Sequence, residues 1–282
     1  MPVRSDIGVC SSRGVGPLHG GRERNEDNFL VCSDGRVRFR DGGAERERRA
    51  DGPGTLLAVA DGMGGHEHGE VASGAAVQAL ARLHARGRPR KPEAAMRAFV
   101  TKAHGRLRDL ARSRGAANMG TTLTACWILE DVAYWTHVGD SRLYLLRDSA
   151  LSLLTRDHTR REFARRDGRP EPFQPQALVQ NFIFGSRGLG DDSGIRIDPG
   201  RDTGSFSVRA GDRLLLASDG VFGPLPHDRI RALLGAAASA TAAATALVGA
   251  AMEAGGDDNL TAVVLFVKQL QTGASADWRL YD

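Results

Sequence analysis

The chain has 282 residues and a formal net charge of +4, with 38 Lys and Arg against 34 Asp and Glu. Hydrophobic residues make up 41% and charged residues 26%, ordinary globular usage that excludes wholesale disorder and suffices for a sizeable core. So thin a basic surplus does not define a nucleic-acid binder, which needs clustered charge. Cys10, Cys32 and Cys126 form no Cys-x-x-Cys pair or paired framework, which points to reduced thiols in the cytoplasm.

From Met1 to Cys10 the chain carries Arg4 and Asp6 and lacks an apolar run, so no secretory leader is expected. Phe29–Cys32 and Thr55–Ala60 are short apolar runs that read as strands. Between them, residues 35–54 mix six arginines with Asp and Glu and read as a solvated hairpin loop or a disordered insertion rather than a basic binding loop. Glu70–Arg86 and Pro92–Arg112 carry helical apolar spacing, the second with Pro92 near its start. Strands follow at Thr121–Leu129, Val132–Val138, Arg142–Leu146 and Leu151–Leu154. Residues 156–192 are polar and Pro-bearing, an irregular segment expected to move. Asp212–Ala217 is a strand, Asp228–Leu234 and Ala240–Glu253 are helices, and Leu260–Val267 is the last strand. Ala232–Met252 carries no charge and has the length of a membrane span, but Ala, Gly, Ser and Thr dominate it. Helices packed on a core are the better reading, and no membrane is expected. The order of strands, helix pair, strand run, helix pair and strand is α+β without βαβ alternation. It fits one domain with a core of about 6–267 and a tail of 268–282.

Several acids stand where apolar strands meet turns. Asp61 follows Leu56–Ala60, Asp140 follows Trp135–Gly139, and Asp219 follows Leu214–Ser218. Asp258 precedes the closing strand, and Glu26 and Asp27 precede the strand at Phe29. One such junction means only that Asp-Gly makes good turns. Repeated junctions can gather carboxylates at a sheet edge, where they resist ionisation unless a cation neutralises them. Hard divalent ions take oxygen ligands, and water between two of them can attack phosphorus. Arginine is the residue that holds phosphate oxygens bidentately.

The series Arg22–Asp27, Val59–Gly65, Met119–Thr122, Val138–Arg142, Leu154–His158, Leu216–Gly220 and Asp257–Thr261 resembles the ordered motifs of metal-dependent Ser/Thr protein phosphatases of type 2C, in the compact bacterial form. The resemblance implies a four-layer α-β-β-α sandwich, two antiparallel sheets flanked by helix pairs. It implies two Mn2+ or Mg2+ ions, with Asp61 shared between them, the Gly62 carbonyl on the first, and Asp219 and Asp258 on the second. Glu26 and Asp27 would act through water, Asp140 with Asp219 would form a third, weaker metal site, and Asn259 would fix the loop of Asp258. Arg22 would bind the substrate phosphate. Phosphorylated proteins, among them a Ser/Thr kinase or its targets, would be the substrates of a cytoplasmic monomer. The resemblance further implies that residues 156–192 correspond to the family's flap and that His158 is structural.

The chain departs from the family pattern in places. Met63 stands where animal members carry a His proposed to protonate the leaving oxygen, and a thioether cannot donate that proton; a metal-bound or ordered water is the candidate. The lead from Gly14 to Gly21 is longer than usual, which leaves Arg24 as a rival to Arg22. His66, His68 and Glu70 read as first-turn helix residues rather than zinc ligands. The flap arginines 156–169 read equally as substrate contacts or as a solvated face. Two rivals to an enzyme remain: a pseudophosphatase that binds phosphoproteins without turnover, disfavoured by the complete ligand set, and a nucleic-acid binder using the Arg-rich loops.

Overall fold

The computed structural model of the chain describes residues 3–41, 43–63, 68–116, 119–178, 180–182, 185–186, 195, 197–198, 200–270 and 280–281. Five strands come first: β1 (Val3–Ser12), β2 (Asn28–Ser33), β3 (Arg36–Asp41), β4 (Ala44–Arg49) and β5 (Thr55–Ala60). Helices α1 (His68–His84) and α2 (Pro92–Ser113) follow, then β6 (Leu123–Leu129), β7 (Val132–Val138), β8 (Arg142–Arg147) and β9 (Ala150–Leu153). Then come α3 (Arg160–Arg166), β10 (Thr203–Ser207), β11 (Arg213–Ala217), α4 (Asp219–Phe222), α5 (His227–Ala236), α6 (Ala240–Glu253) and β12 (Leu260–Leu270), besides a 3-10 turn and several two-residue strands.

The strands form two antiparallel sheets, ordered β1-β12-β11-β8-β9 and β10-β7-β6-β5-β2-β3-β4. All six residues of β5 are buried, because both of its faces meet protein, and a strand covered on both sides reads as a continuous apolar run. Leu57 and Val59 face the other sheet, packing with Phe29, Cys126, Leu214, Leu216 and Val263. Leu56 and Ala58 turn outward to Val77, Leu80, Met96 and Val100 of α1 and α2. On the opposite side Leu215, Ala217 and Val264 meet Ile230, Leu234, Ala244 and Leu247 of α5 and α6. The result is the α-β-β-α layering expected from the motifs.

The uncharged stretch 232–252 is the end of α5 and most of α6. Ala240, Ala243, Ala244, Leu247, Val248 and Ala251 are its buried stripe, at helical spacing. Small side chains let α6 lie close on β1. A Cβ at Gly8 would come 2.2 Å from the Thr241 backbone nitrogen, so Gly8 is required by that approach. The first turn is held by Ser239 Oγ, which accepts from Ala242 N at 3.1 Å, and by Asp6, which accepts from Ala240 N at 2.9 Å. Among the described residues no helix is long and apolar enough to cross a membrane.

Three segments differ from the sequence reading. Residues 35–54 hold a hairpin, one of the two readings open, but its arms β3 and β4 are regular strands that extend the seven-stranded sheet rather than a solvated loop. Val37 and Phe39 are buried between outward arginines. β4 buries nothing and is held by backbone pairing and by the cross-strand pairs Arg36–Glu47 and Arg38–Glu45. β1 lacks an apolar run because most of its residues are only half-buried; it forms through a ten-residue register with β12. The segment 156–192 is not wholly irregular: Thr159 accepts from Glu162 N and caps α3, and Leu178 bridges back to Thr159. Parts of that segment, namely 179, 183–184 and 187–192, and of the tail, 271–279 and 282, lie outside the described residues. Gly64, Gly65, His66 and Glu67 do too.

Candidate active site

Strand register gathers the acids. Pairing of Asn28 with Ala60 in β2 and β5 puts Asp27 and Asp61, the next residues along, at one end of the seven-stranded sheet. Pairing of Ala217 with Arg142 and with Ala262 brings Asp140, Asp219 and Asp258 to one end of the other. A cleft of about 440 Å3 opens between these ends. Arg22, Arg24, Glu26, Asp61, Gly62, Met63, Asp140, Asp219 and Asp258 all line it, with Thr122 and Leu178. Asp27 is not in the lining; it lies buried, at 1% exposure.

Negative charge is concentrated there, and Arg22 offsets only part of it. Burial, then the neighbouring carboxylates Asp27 and Asp219, pushes the Asp61 carboxyl well above its ordinary value. Asp140 is pushed up to about 8 by burial, then by Asp219 and Asp157. Asp27 is pushed up to about 7 by burial, against hydrogen bonds from Ser218 and Thr261. Asp219 is raised by burial and by Asp258, and shares a hydrogen bond with Asp61. Glu26 is raised by burial, offset by Arg22.

Two buried carboxylate oxygens, Asp27 Oδ1 and Asp219 Oδ1, have no hydrogen-bond partner. Such atoms are costly unless something cationic or protic meets them. The donors are hard oxygens, and the Gly62 backbone lies in the cleft lining beside them. This set suits divalent ions. Among the described residues no three His, Cys, Asp or Glu side chains enclose an ion by themselves. Arg22 donates to both oxygens of Asp258, Nε to Oδ1 and Nη2 to Oδ2, each at 2.9 Å.

The acids are fixed by polar residues around them. Thr122 Oγ1 accepts from Asp61 N at 2.9 Å and pairs with Ser141 Oγ at 2.7 Å, while Thr121 Oγ1 donates to the Asp61 carbonyl at 2.9 Å. Ser218 Oγ donates to Asp27 Oδ2 at 2.6 Å and accepts from Thr261 N at 3.0 Å. Asn259 does more than fix the loop of Asp258. Its Oδ1 accepts from Glu26 N at 2.8 Å, and its Nδ2 donates to the Arg24 carbonyl at 2.8 Å, tying together the two loops that carry Arg22 and Asp258. His158 Nδ1 accepts from Gly139 N at 3.1 Å, the His158 backbone N–H donates to the Gly139 carbonyl at 2.7 Å, and Nε2 meets Asp202 Oδ1 at 2.9 Å. This clamp holds the residue next to Asp140. Thr121, Thr122, Ser141, Ser218, Thr261 and Asp202 were not singled out as site residues. The threonine pair lay within a motif; no spacing pointed to Asp202.

His68 opens α1, as expected of a first-turn residue. The arginines of residues 156–169 are largely matched locally: Arg161 with Glu171, Arg165 with Glu162, and both Arg166 and Arg169 with Asp167.

Two sheets packed face to face, helices outside, and carboxylates at their common end define the architecture that the motifs implied. The chain belongs to the protein phosphatase 2C family, whose model matches residues 46–260. The serine/threonine protein phosphatase PstP of Mycobacterium tuberculosis is 36% identical over 223 residues, 77% of this chain and 41% of the relative. The chain therefore spans less than half of that protein's length. Protein phosphatase PhpP of Streptococcus pneumoniae is 30% identical over 76% of this chain and 87% of its own. The solved catalytic domain of PstP, in complex with two manganese ions, is 31% identical with a TM-score of 0.72, covering 94% of this chain and 99% of that one.

Proposed function

We propose that the chain is a metal-dependent protein phosphatase that hydrolyses phosphoserine and phosphothreonine in proteins, as a single catalytic domain. The observation that carries this is the convergence of Asp61, Asp140, Asp219 and Asp258 on one cleft, two orphaned buried oxygens among the acids, and a guanidinium at the rim. Similarity to PstP and PhpP supports the reading.

Two ions, Mn2+ or Mg2+, fit the donor set. Asp61 would be shared, with the Gly62 carbonyl on one side and Asp219 and Asp258 on the other; Glu26 and Asp27 would act through water, and Asp140 with Asp219 could take a third. Bound there, the ions supply Lewis acidity and a water acidic enough to become a nucleophile near neutral pH. The chain's own residues orient and hold. The Thr121–Thr122–Ser141 network fixes Asp61, and the His158–Asp202 clamp fixes the approach to Asp140. Arg22 offers two N–H groups in a fork that suits phosphate; because that fork now holds Asp258, phosphate and Asp258 compete for it. Arg24 also lines the cleft and is the second candidate. Neither His nor Lys lines the cleft among the described residues, and Met63 cannot donate a proton; a metal-bound or ordered water is the candidate that protonates the departing serine or threonine oxygen.

The substrates are phosphoproteins, among them a Ser/Thr kinase or its targets, and the chain acts as a monomer. Its three free thiols suit a reducing, cytoplasmic setting. Release of phosphate from a phosphothreonine peptide tests the activity. It should require Mn2+, stop with EDTA and fail in Asp219→Asn; activity that survives both would sink the mechanism.

A further inference from the structure

A second concavity lies far from the cleft, between α1 and α2. Its volume is about 900 Å3, more than twice that of the acidic cleft. Six cations line it, Arg82, Arg86, Arg90, Lys91, Lys102 and Arg106, and no carboxylate is among its lining residues. Arg82, Arg86, Lys91, Lys102 and Arg106 are exposed, and their charges are not spent on ion pairs with described residues. The floor is apolar and smooth: Ala79, Leu83, Ala95, Ala98 and Phe99. Small side chains on facing helices leave the groove open, while Leu83 and Phe99 close its base at 8% exposure each.

Position separates it from the chemistry. The first turn of α1 touches the cleft, since a Cβ at Gly69 would lie 2.6 Å from Glu26 Cδ. The groove begins ten residues further on, at Ala79, about 15 Å along the helix axis. Nothing in the proposed hydrolysis uses it.

We propose that this groove is a docking surface for an acidic segment of a partner protein that also carries Leu or Val side chains. The cations supply charge complementarity and steering. The alanine-lined floor offers apolar contact to alternating side chains, and concavity favours a peptide over a flat bilayer. Single-stranded nucleic acid is a poorer match, because it wants exposed aromatic platforms and the one aromatic lining residue, Phe99, is buried. The inference is independent of the reading of the cleft.

Fluorescence anisotropy with a fluorescein-labelled peptide of three Glu-Leu-Glu-Val repeats tests it on the full chain. The groove variant carries Arg82→Gln, Arg86→Gln, Lys102→Gln and Arg106→Gln. A control with Arg46→Gln, Arg49→Gln, Arg229→Gln and Arg231→Gln removes the same charge from exposed positions elsewhere. We expect saturable binding, weakened about tenfold or more in the groove variant and little in the control, with Mn2+-dependent phosphatase activity on a small aryl phosphate unchanged in both. Dodecaglutamate should bind at least tenfold more weakly. Absence of binding, equal loss in both variants, or equal affinity for dodecaglutamate or a single-stranded oligonucleotide would overturn the proposal. So would equal competition by a peptide of residues 271–282, because Leu280 and Tyr281 pair with Arg88 and with Pro89, a residue of the groove's edge, and the occupant would then be the chain itself.

Discussion

Raising the pH in excess chelator should destabilise this chain, the reverse of ordinary acid denaturation. Asp27 is fully buried and its carboxyl is held at about 7 against an ordinary 3.8. The folded chain therefore binds that proton more tightly than the unfolded chain does. The contribution is complete below the unfolded value and is lost as pH rises through the folded one. For Asp27 alone the loss is on the order of 4 kcal/mol between about pH 4 and pH 8. Asp140, held at about 8, and Asp61, also raised by burial and its carboxylate neighbours, extend the fall in the same direction. For a domain of this size, 4 kcal/mol corresponds to roughly 10 °C in melting temperature. Far-UV circular dichroism melts from pH 5 to pH 8, with EDTA and with Mn2+, read it directly. The EDTA curve should descend and the Mn2+ curve should stay level, because bound cations favour the ionised carboxylates. Asp27→Asn removes one buried charge at constant shape and should flatten the EDTA curve by its share. A melting temperature in EDTA that is level or rises across that range, or a D27N slope equal to that of the unaltered chain, would refute the reasoning.

Three further outcomes follow from the same site. Ser218→Ala leaves Thr261 N without its acceptor and takes from Asp27 Oδ2 its 2.6 Å donor, and should cost about 2–3 kcal/mol by urea unfolding with Mn2+ present; a loss below about 0.5 kcal/mol would contradict the role given to the hydroxyl. Gly139→Ala meets a φ of 108° and puts a Cβ 2.5 Å from Thr122 Cγ2. It should cost about 3 kcal/mol and depress kcat through Asp140 and Thr122, so unchanged stability and turnover would count against it. Arg22→Ala should raise KM for a phosphopeptide about tenfold or more. Because the Arg22–Asp258 pair is exposed at 60% and 33% and so is worth about 1 kcal/mol at most, the same variant should tighten Mn2+ binding up to about fivefold by calorimetry.

How much of this was legible in the sequence depended on what each element is buried against. β5 and α6 match their expected ranges residue for residue, because a two-faced buried strand and an Ala-rich helix carry their environment in composition. β1 and β4 did not show, because their partners lie far along the chain or their side chains face water. For β3 a period-two signal was present in Val37 and Phe39 between arginines, but the charges masked it. The capping pair Thr159 and Glu162 would have marked α3. In the site, the acids were readable because each stands at the end of an apolar run. Their supports were not: Asp202 reaches His158 across 44 residues, and Ser218 reaches Asp27 across 191. The pairing of Arg22 with Asp258 spans 236 residues and depends on strand register, which motif order does not encode.

The central claim is that the acids at the common end of the two sheets hold divalent ions. Anomalous diffraction at the manganese edge from crystals grown with Mn2+ tests it most directly. The account predicts two strong peaks in the cleft, both within coordinating reach of Asp61, and their loss in crystals of Asp61→Asn. Peaks confined to surface acids, with none beside Asp61 and Asp219, would contradict it.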